Sequence, residues 1–349
     1  MNIWKIKRSL YVEDNELFSG GNSLTYPLLG YGAEECEFTN NVVNCLGTGE
    51  IHVFEDGADI NANTSEVCIG QCLGDVLKEH CLDGTNIVPE IYRTYGILMI
   101  KSSNNTLTGN DVKVRSLINQ TLPSNSTNSL VGIDFYYDCD NNMISNNKID
   151  VEGMDNYLYG AGAIAHSTGQ FSSTTAKNNT FVDNEITVKG PNVAEGLIFG
   201  DGCDDTKILN NDLILECDRM VYGINLEISD KSTIKGNNIK ISSDVAYGIE
   251  AFESDGNVIE NNTIVGEGKV ISGIAGVKTN NNKIQNNTIT SKGSGDKLVF
   301  AVRDSVNAPN SGVFLTGVSK GNLIDSNIIE SENGYPVDLA TTATGNTVT

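Results

Sequence analysis

Residues 281–290 read NNKIQNNTIT. Twenty-five residues earlier, at 256–265, the chain reads GNVIENNTIV, and forty residues later, at 321–330, GNLIDSNIIE. Each phrase sets an Asn two places before an apolar residue, and does so twice. Aligned on its first apolar residue, the phrase recurs at Leu107, Ile144, Phe181, Ile208, Ile234, Ile259, Ile284 and Ile324. Five residues on stands a second apolar column: Val112, Ile149, Ile186, Leu213, Ile239, Ile264, Ile289 and Ile329. Two before the second column, all eight phrases carry Asn: Asn110, Asn147, Asn184, Asn211, Asn237, Asn262, Asn287 and Asn327. Five before the first column, every residue is small, from Ser102 and Cys139 through Cys203 to Ser319.

A third run begins with Gly and an apolar residue. It reads GILMI at 96, GIDFY at 132, GLIFG at 196, GINLE at 223, GIEAF at 248, GIAGV at 273 and GVFLT at 312, with a weaker copy, GAIAH, at 162. Its apolar residues alternate, the period of a strand. A unit whose shortest copy is 25 residues cannot enclose a core of its own, but stacked copies can. Three short strands per unit therefore predict an all-β, right-handed, single-stranded parallel β-helix: a solenoid with three sheets and about nine rungs, roughly 4.8 Å apart. Like residues then stack along the axis. Ile over Ile fills the interior, and Asn over Asn passes amide hydrogen bonds between rungs. Asn also tolerates the left-handed backbone that a tight corner needs.

The register extends to a degenerate rung near 33–47, with Ala33, Phe38, Asn41 and Val43 in their columns. At the other end Ala343, Asn346 and Val348 begin a further rung, so the natural polypeptide is expected to continue beyond 349. The expected organisation is an N-terminal cap or leader over 1–32 and a β-helix over 33–349. Ile3, Ile6 and Leu10 have the spacing of a short capping helix. An irregular insertion covers 48–95, with a helical segment at LGDVLKEHCL, and further insertions are read at 117–130, 154–160, 168–175 and 294–310.

The chain has 23 Lys plus Arg against 45 Asp plus Glu, a formal net charge of −22. Such a surface repels nucleic-acid phosphates and anionic lipid headgroups and attracts cations. No run of eighteen apolar residues occurs, so no direct membrane insertion is expected, and the basic start MNIWKIKRSL lacks the apolar stretch of a signal peptide. Of eight Cys, the columns account for Cys139, Cys203 and Cys217 as buried small residues. Cys36, Cys45, Cys68, Cys72 and Cys81 remain as disulfide candidates in the irregular N-terminal part, or as zinc ligands with His52 or His80. DINANTSE at 59–66 starts like a calcium loop but lacks its Gly and distal Glu. No cofactor is expected, with calcium left open. Sequons stand at Asn63, Asn104, Asn119, Asn125, Asn178, Asn261 and Asn286.

Outward positions on the Gly-led strands offer a candidate binding face: Asp134, Tyr136, His166, Glu227, Glu250 and Phe252, with Asn225 beside them. Glu227 and Glu250 fall on adjacent rungs. The carboxylates suit hydrogen bonds to sugar hydroxyls, and Tyr136 and Phe252 offer flat surface for sugar rings. No Arg joins these columns, Lys101 and Lys278 stand in a neighbouring one, and no catalytic residue is assigned. The competing reading is a solvated acidic face, to which the densest acidic group, DGCDD at 201–205, also belongs.

The GI…NNxIxxNxI phrasing resembles the right-handed β-helix repeats of adhesin-like surface proteins of methanogenic archaea, within the pectate-lyase-like fold. The resemblance covers about 96–349. It implies an extracellular or cell-surface protein that presents a non-catalytic face to a glycan or cell-surface partner. The alternative is a polysaccharide lyase or glycoside hydrolase, which requires acids from three or more rungs and a basic group in one place.

Overall fold

The computed structural model describes residues 2–4, 10–21, 26–47, 93–116, 129–154, 157–164, 175–200, 202–294 and 311–349. Within them every regular element is a strand, and every strand pair is parallel. Eleven short strands, from Tyr11–Glu13 to Thr347–Val348, form one sheet. The Gly-led strands and the strands that follow the second Asn form two further faces. Asn238–Phe252 and Thr263–Val277 run through both without a break. The expected β-helix is present, with eleven short strands rather than about nine.

The columns lie in register as the repeat requires. Leu213 pairs with Ile239, Ile239 with Ile264 and Ile264 with Ile289, and all four are buried. Phe135, Phe181 and Phe199 pack edge to face along the same interior. The small column is fully enclosed from Ser102 to Ser319.

The second Asn column is a hydrogen-bonded ladder over ten rungs. Asn147 shows the pattern: its backbone N–H and its Nδ2 both donate to Asn184 Oδ1, at 3.0 Å each, and Nδ2 also donates to the Leu107 carbonyl at 2.9 Å. The ladder runs from Asn15 through Asn41 to Asn327. Every buried amide in it is satisfied, which removes the cost of enclosing polar groups. One expectation is corrected here. The ladder Asn is not the left-handed corner residue. That conformation belongs to the residue before it: Asp14, Asn40, Gly109, Asn146, Asp183, Asn210, Gly236, Asn261, Asn286 and Ser326. The ladder residue is buried and the corner residue before it points outward, so the two demands fall on neighbouring positions.

The N-terminal expectation also changes. Asn2–Trp4 is a strand within the stretch expected to form a capping helix, and Tyr11–Glu13 is a strand directly after it. Glu16–Gly21 pairs with Val42–Gly47, so the solenoid begins before residue 33. The interval 154–160 is not an insertion throughout, because Tyr157–Ile164 is a Gly-led strand. Its column glycine is Gly160, not Gly162: Val131 pairs with Tyr159, and Ile133 with Ala161. The helical segment LGDVLKEHCL, the calcium-like 59–66, His52 and His80 lie outside the described residues, as do Cys68, Cys72 and Cys81. Cys36 is a free thiol whose backbone N–H donates to Asn105 Oδ1, which places it in the first Asn column and not in a disulfide. Cys45 sits in the interior opposite Val114, and burial pushes its thiol up to about 12.

Candidate functional site

The glycine of the Gly-led strand sets the geometry of the outward face. A Cβ on Gly223 would stand 2.4 Å from the Gly248 carbonyl oxygen and 2.6 Å from an Ile239 methyl, so only glycine fits. The strand bends there, and strand pairing skips the position: Tyr222 pairs with Tyr247 and Ile224 with Ile249. Val221, Ile224 and Leu226 enter the interior. Tyr222 and Asn225, on either side of the bend, both face outward, and Tyr222 joins a separate outer cluster with Met220, Val245, Tyr247 and Ala275.

Three successive rungs bring acids together on this face, through the strands Val193–Phe199, Met220–Glu227 and Asn238–Phe252. Asn225 Nδ2 donates to Glu195 Oε2 at 3.1 Å and to Glu227 Oε1 at 3.2 Å. Glu250 is the register partner of Asn225 on the next rung. Tyr222 and Tyr247 stack, with centroids 5.3 Å apart and planes at 15°. Burial, with the Glu250 charge second, pushes the Tyr247 phenol upward, so it stays protonated and can donate. Phe252 follows Glu227 in register, and Lys278 Nζ lies 5.6 Å from its ring centroid while pairing with Glu253 at 3.1 Å.

The candidates read from sequence separate into groups. Glu227, Glu250 and Phe252 come together. Asp134 shares a column with Asn225 and Glu250 but stands three rungs from Asn225, through Gly162 and Ile198. Tyr136 packs its ring against Tyr137 at 5.0 Å and borders an outer apolar cluster that includes Tyr95, Leu98 and Ile100. His166 lies outside the described residues. The solvated-face reading is corrected for the central groups: Asp134, Glu195, Asn225 and Glu250 are 4%, 6%, 2% and 5% exposed. Of the DGCDD acids, Asp201 lies outside the described residues and Asp204 does not join the site. Asp204 pairs with Lys177 at 2.8 Å and accepts the Asp230 N–H at 3.0 Å as part of a corner ladder.

Glu195, Tyr222 and Tyr247 were missed because the strands were read as starting at glycine. For the two tyrosines the signal was legible: Tyr-Gly-Ile occurs at 95–97, 222–224 and 247–249, whereas Glu195 stands in Glu-Gly-Leu. Among the described residues no group of three or more His, Cys, Asp or Glu is placed to hold a metal ion. No helix among them is long and apolar enough to cross a membrane.

No curated protein matches this sequence. Solved structures of similar fold include the A-module of the mannuronan C-5 epimerase AlgE4 of Azotobacter vinelandii, 13% identical over 98% of this chain and 91% of that one, TM-score 0.43. DFA-IIIase from Arthrobacter chlorophenolicus A6 is 11% identical over 95% of this chain and 82% of that one, TM-score 0.46. The periplasmic alginate epimerase AlgG is 11% identical over 93% and 77%, TM-score 0.35. Residues 216–349 match the family model described as the right handed beta helix region. With its unbroken parallel register on three faces, the chain is a right-handed parallel β-helix.

Proposed function

We propose that the chain is a polysaccharide-acting enzyme, a hydrolase or lyase, working on the outward Gly-led face. The observation that carries this reading is the convergence of Glu195, Glu227 and Glu250 from three successive rungs around Asn225. Cleaving a glycosidic bond needs one group to protonate the leaving oxygen and another to take a proton or attack. Glu227 and Glu250 are the pair on adjoining rungs, Glu227 half-buried and Glu250 buried. In this reading Asn225 holds the Glu195 and Glu227 carboxyls in place, the Tyr247 phenol donates to substrate, and Phe252 supplies flat surface for a sugar ring. Lys278 is the adjacent basic group. An extracellular or periplasmic setting follows from a polymeric substrate.

The test is incubation with a panel of neutral and uronic-acid polysaccharides, reading reducing ends and unsaturated ends. Release is expected, with Glu227→Gln and Glu250→Gln each slowing it about a hundredfold or more. Equal release by both folded variants would remove the pair from the chemistry. Binding of a glycan with no ends released from any polymer would restore the second reading, a non-catalytic adhesin-like binder. The feature that favours this alternative is the ten-rung Asn ladder, which makes a stiff rod suited to display.

A further inference from the structure

The sequons at Asn104, Asn178, Asn261 and Asn286 fall within the described residues, while those at Asn63, Asn119 and Asn125 lie outside them. The fold gives all four described sequons the same setting. Each acceptor Asn is a left-handed corner residue, at φ 61°, 57°, 56° and 56°, and each is exposed. The next residue in each is a buried ladder Asn: Asn105, Asn179, Asn262 and Asn287. The Thr after that turns outward again, so the acceptor amide and the hydroxyl share one side of the chain. The backbone N–H of each acceptor donates to the next rung, for example from Asn104 to the Asp140 carbonyl at 2.9 Å, and fixes the corner. Their side-chain amides hold no hydrogen bond among the described residues.

Other corner Asn residues are placed differently. Asn40, Asn210 and Asn281 rest against the next rung, where a Cβ on Gly109, Gly236 or Gly321 would stand 2.4, 2.4 and 2.7 Å from their Oδ1 atoms. None of these three carries a hydroxyl residue two places on, where Val42, Asp212 and Lys283 stand. One rung on from the four sequon residues are Asn141, Asp205, Asn286 and Ser326, each left-handed and each with a Cβ where the glycine would be. That Cβ stops the amide from lying back, so it stands out into solvent.

We propose that these corners are N-glycosylation sites. In the transfer, the Asn Nδ2 bonds to the anomeric carbon of an oligosaccharide carried on a membrane lipid through pyrophosphate. The bond from that carbon to the pyrophosphate oxygen breaks, its electron pair leaves with the pyrophosphate, and the amide gives up one proton. Transfer is to the emerging chain, and the fold accommodates the product because the corner amide already points outward. The acceptors border the short-strand sheet at its two corners, off the outward columns of the Gly-led face, so the glycans leave that face clear. The inference rests on the extracellular or periplasmic setting of the proposed function, not on its chemistry.

The experiment produces the full chain in a secreting host that N-glycosylates and in one that does not. Occupied Asn residues are mapped by mass spectrometry after amidase release in heavy-oxygen water. Glycan is expected at Asn104, at Asn178 and at one or both of the adjacent-rung residues Asn261 and Asn286, with the urea midpoint no lower than that of the bare protein. Lys283→Thr writes the same motif at Asn281, whose amide rests over Gly321. A glycan there has to lift the amide out of that packing, so Asn281 should stay bare or its glycan should lower the midpoint. Bare Asn at all four natural corners overturns the inference, as does a midpoint lowered as much by the natural glycans as by one on Asn281. Cleavage of a polysaccharide by a protein whose corners are bare in the glycosylating host would overturn the inference and leave the enzyme reading standing. Glycosylated corners on a protein that cleaves nothing would do the reverse.

Discussion

Ile228 sits at φ 52°, immediately after Glu227, and is 44% exposed. A β-branched residue is poorly suited to the left-handed region, where its Cβ crowds the carbonyl. Ile228→Asn is expected to raise stability by about 1 kcal/mol, read as a higher urea midpoint at unchanged slope. The thiols make a second case. Burial pushes Cys139, Cys36 and Cys217 above the ordinary thiol range, and Cys45 to about 12. At pH 8 they carry little thiolate. A thiol reagent should modify them only as fast as the protein unfolds, and at once in denaturant. Immediate reaction of the folded protein at these positions would contradict their burial. Cys139 in the small column was legible from spacing alone. Cys36 was not, because it replaces Asn in a column and the replacement removed the signal.

At the scale of the element, the Asn ladder and the Ile columns govern. Asn211 accepts from Asn184 N and Nδ2 and donates to Asn237 Oδ1 and the Phe181 carbonyl. Asn211→Ala leaves buried donors on Asn184 without an acceptor and should cost about 3 kcal/mol in chemical denaturation. Ile264→Asp, in the fully enclosed column, should be worse, about 4 kcal/mol or more, since a carboxylate would enter a dry core. On the short-strand sheet, hydrogen bonds from Lys235 and then Gln285 hold the Glu260 carboxyl below its usual range. Its contribution is present above the ordinary carboxylate pKa and is lost as pH falls through the lowered folded value. Glu260→Gln should therefore flatten the acid side of the stability profile, by under about 1 kcal/mol for so exposed a pair. The first rung was also readable: Val12, Asn15 and Leu17 obey the column offsets. It was hidden because the small residue before Val12 is missing. The second rung's Gly-led strand was hidden because Pro27 stands where later copies carry Gly, as the pairing of Leu28 with Ile97 shows.

For the whole molecule, a net charge of −22 on a narrow rod implies self-repulsion, and moderate salt should raise the melting temperature relative to low salt. Surface pairs such as Lys292 with Glu267 oppose that trend only weakly. The sequence by itself determined the interior. A solenoid imposes the same packing and hydrogen-bonding demand on every rung, so the residues that meet it must recur, and recurrence is visible without coordinates. The tertiary structure decided the outward face. Asn225 and Glu250 share a column but not a residue type, and Glu195 stands in the column of Tyr222, because a site needs different groups from different rungs. Asn225 and Glu195 meet only diagonally across the glycine bend, and that bend's register could not be counted from the first Gly of each run. Nor does spacing reveal that outward acids are buried, since burial depends on everything packed around them.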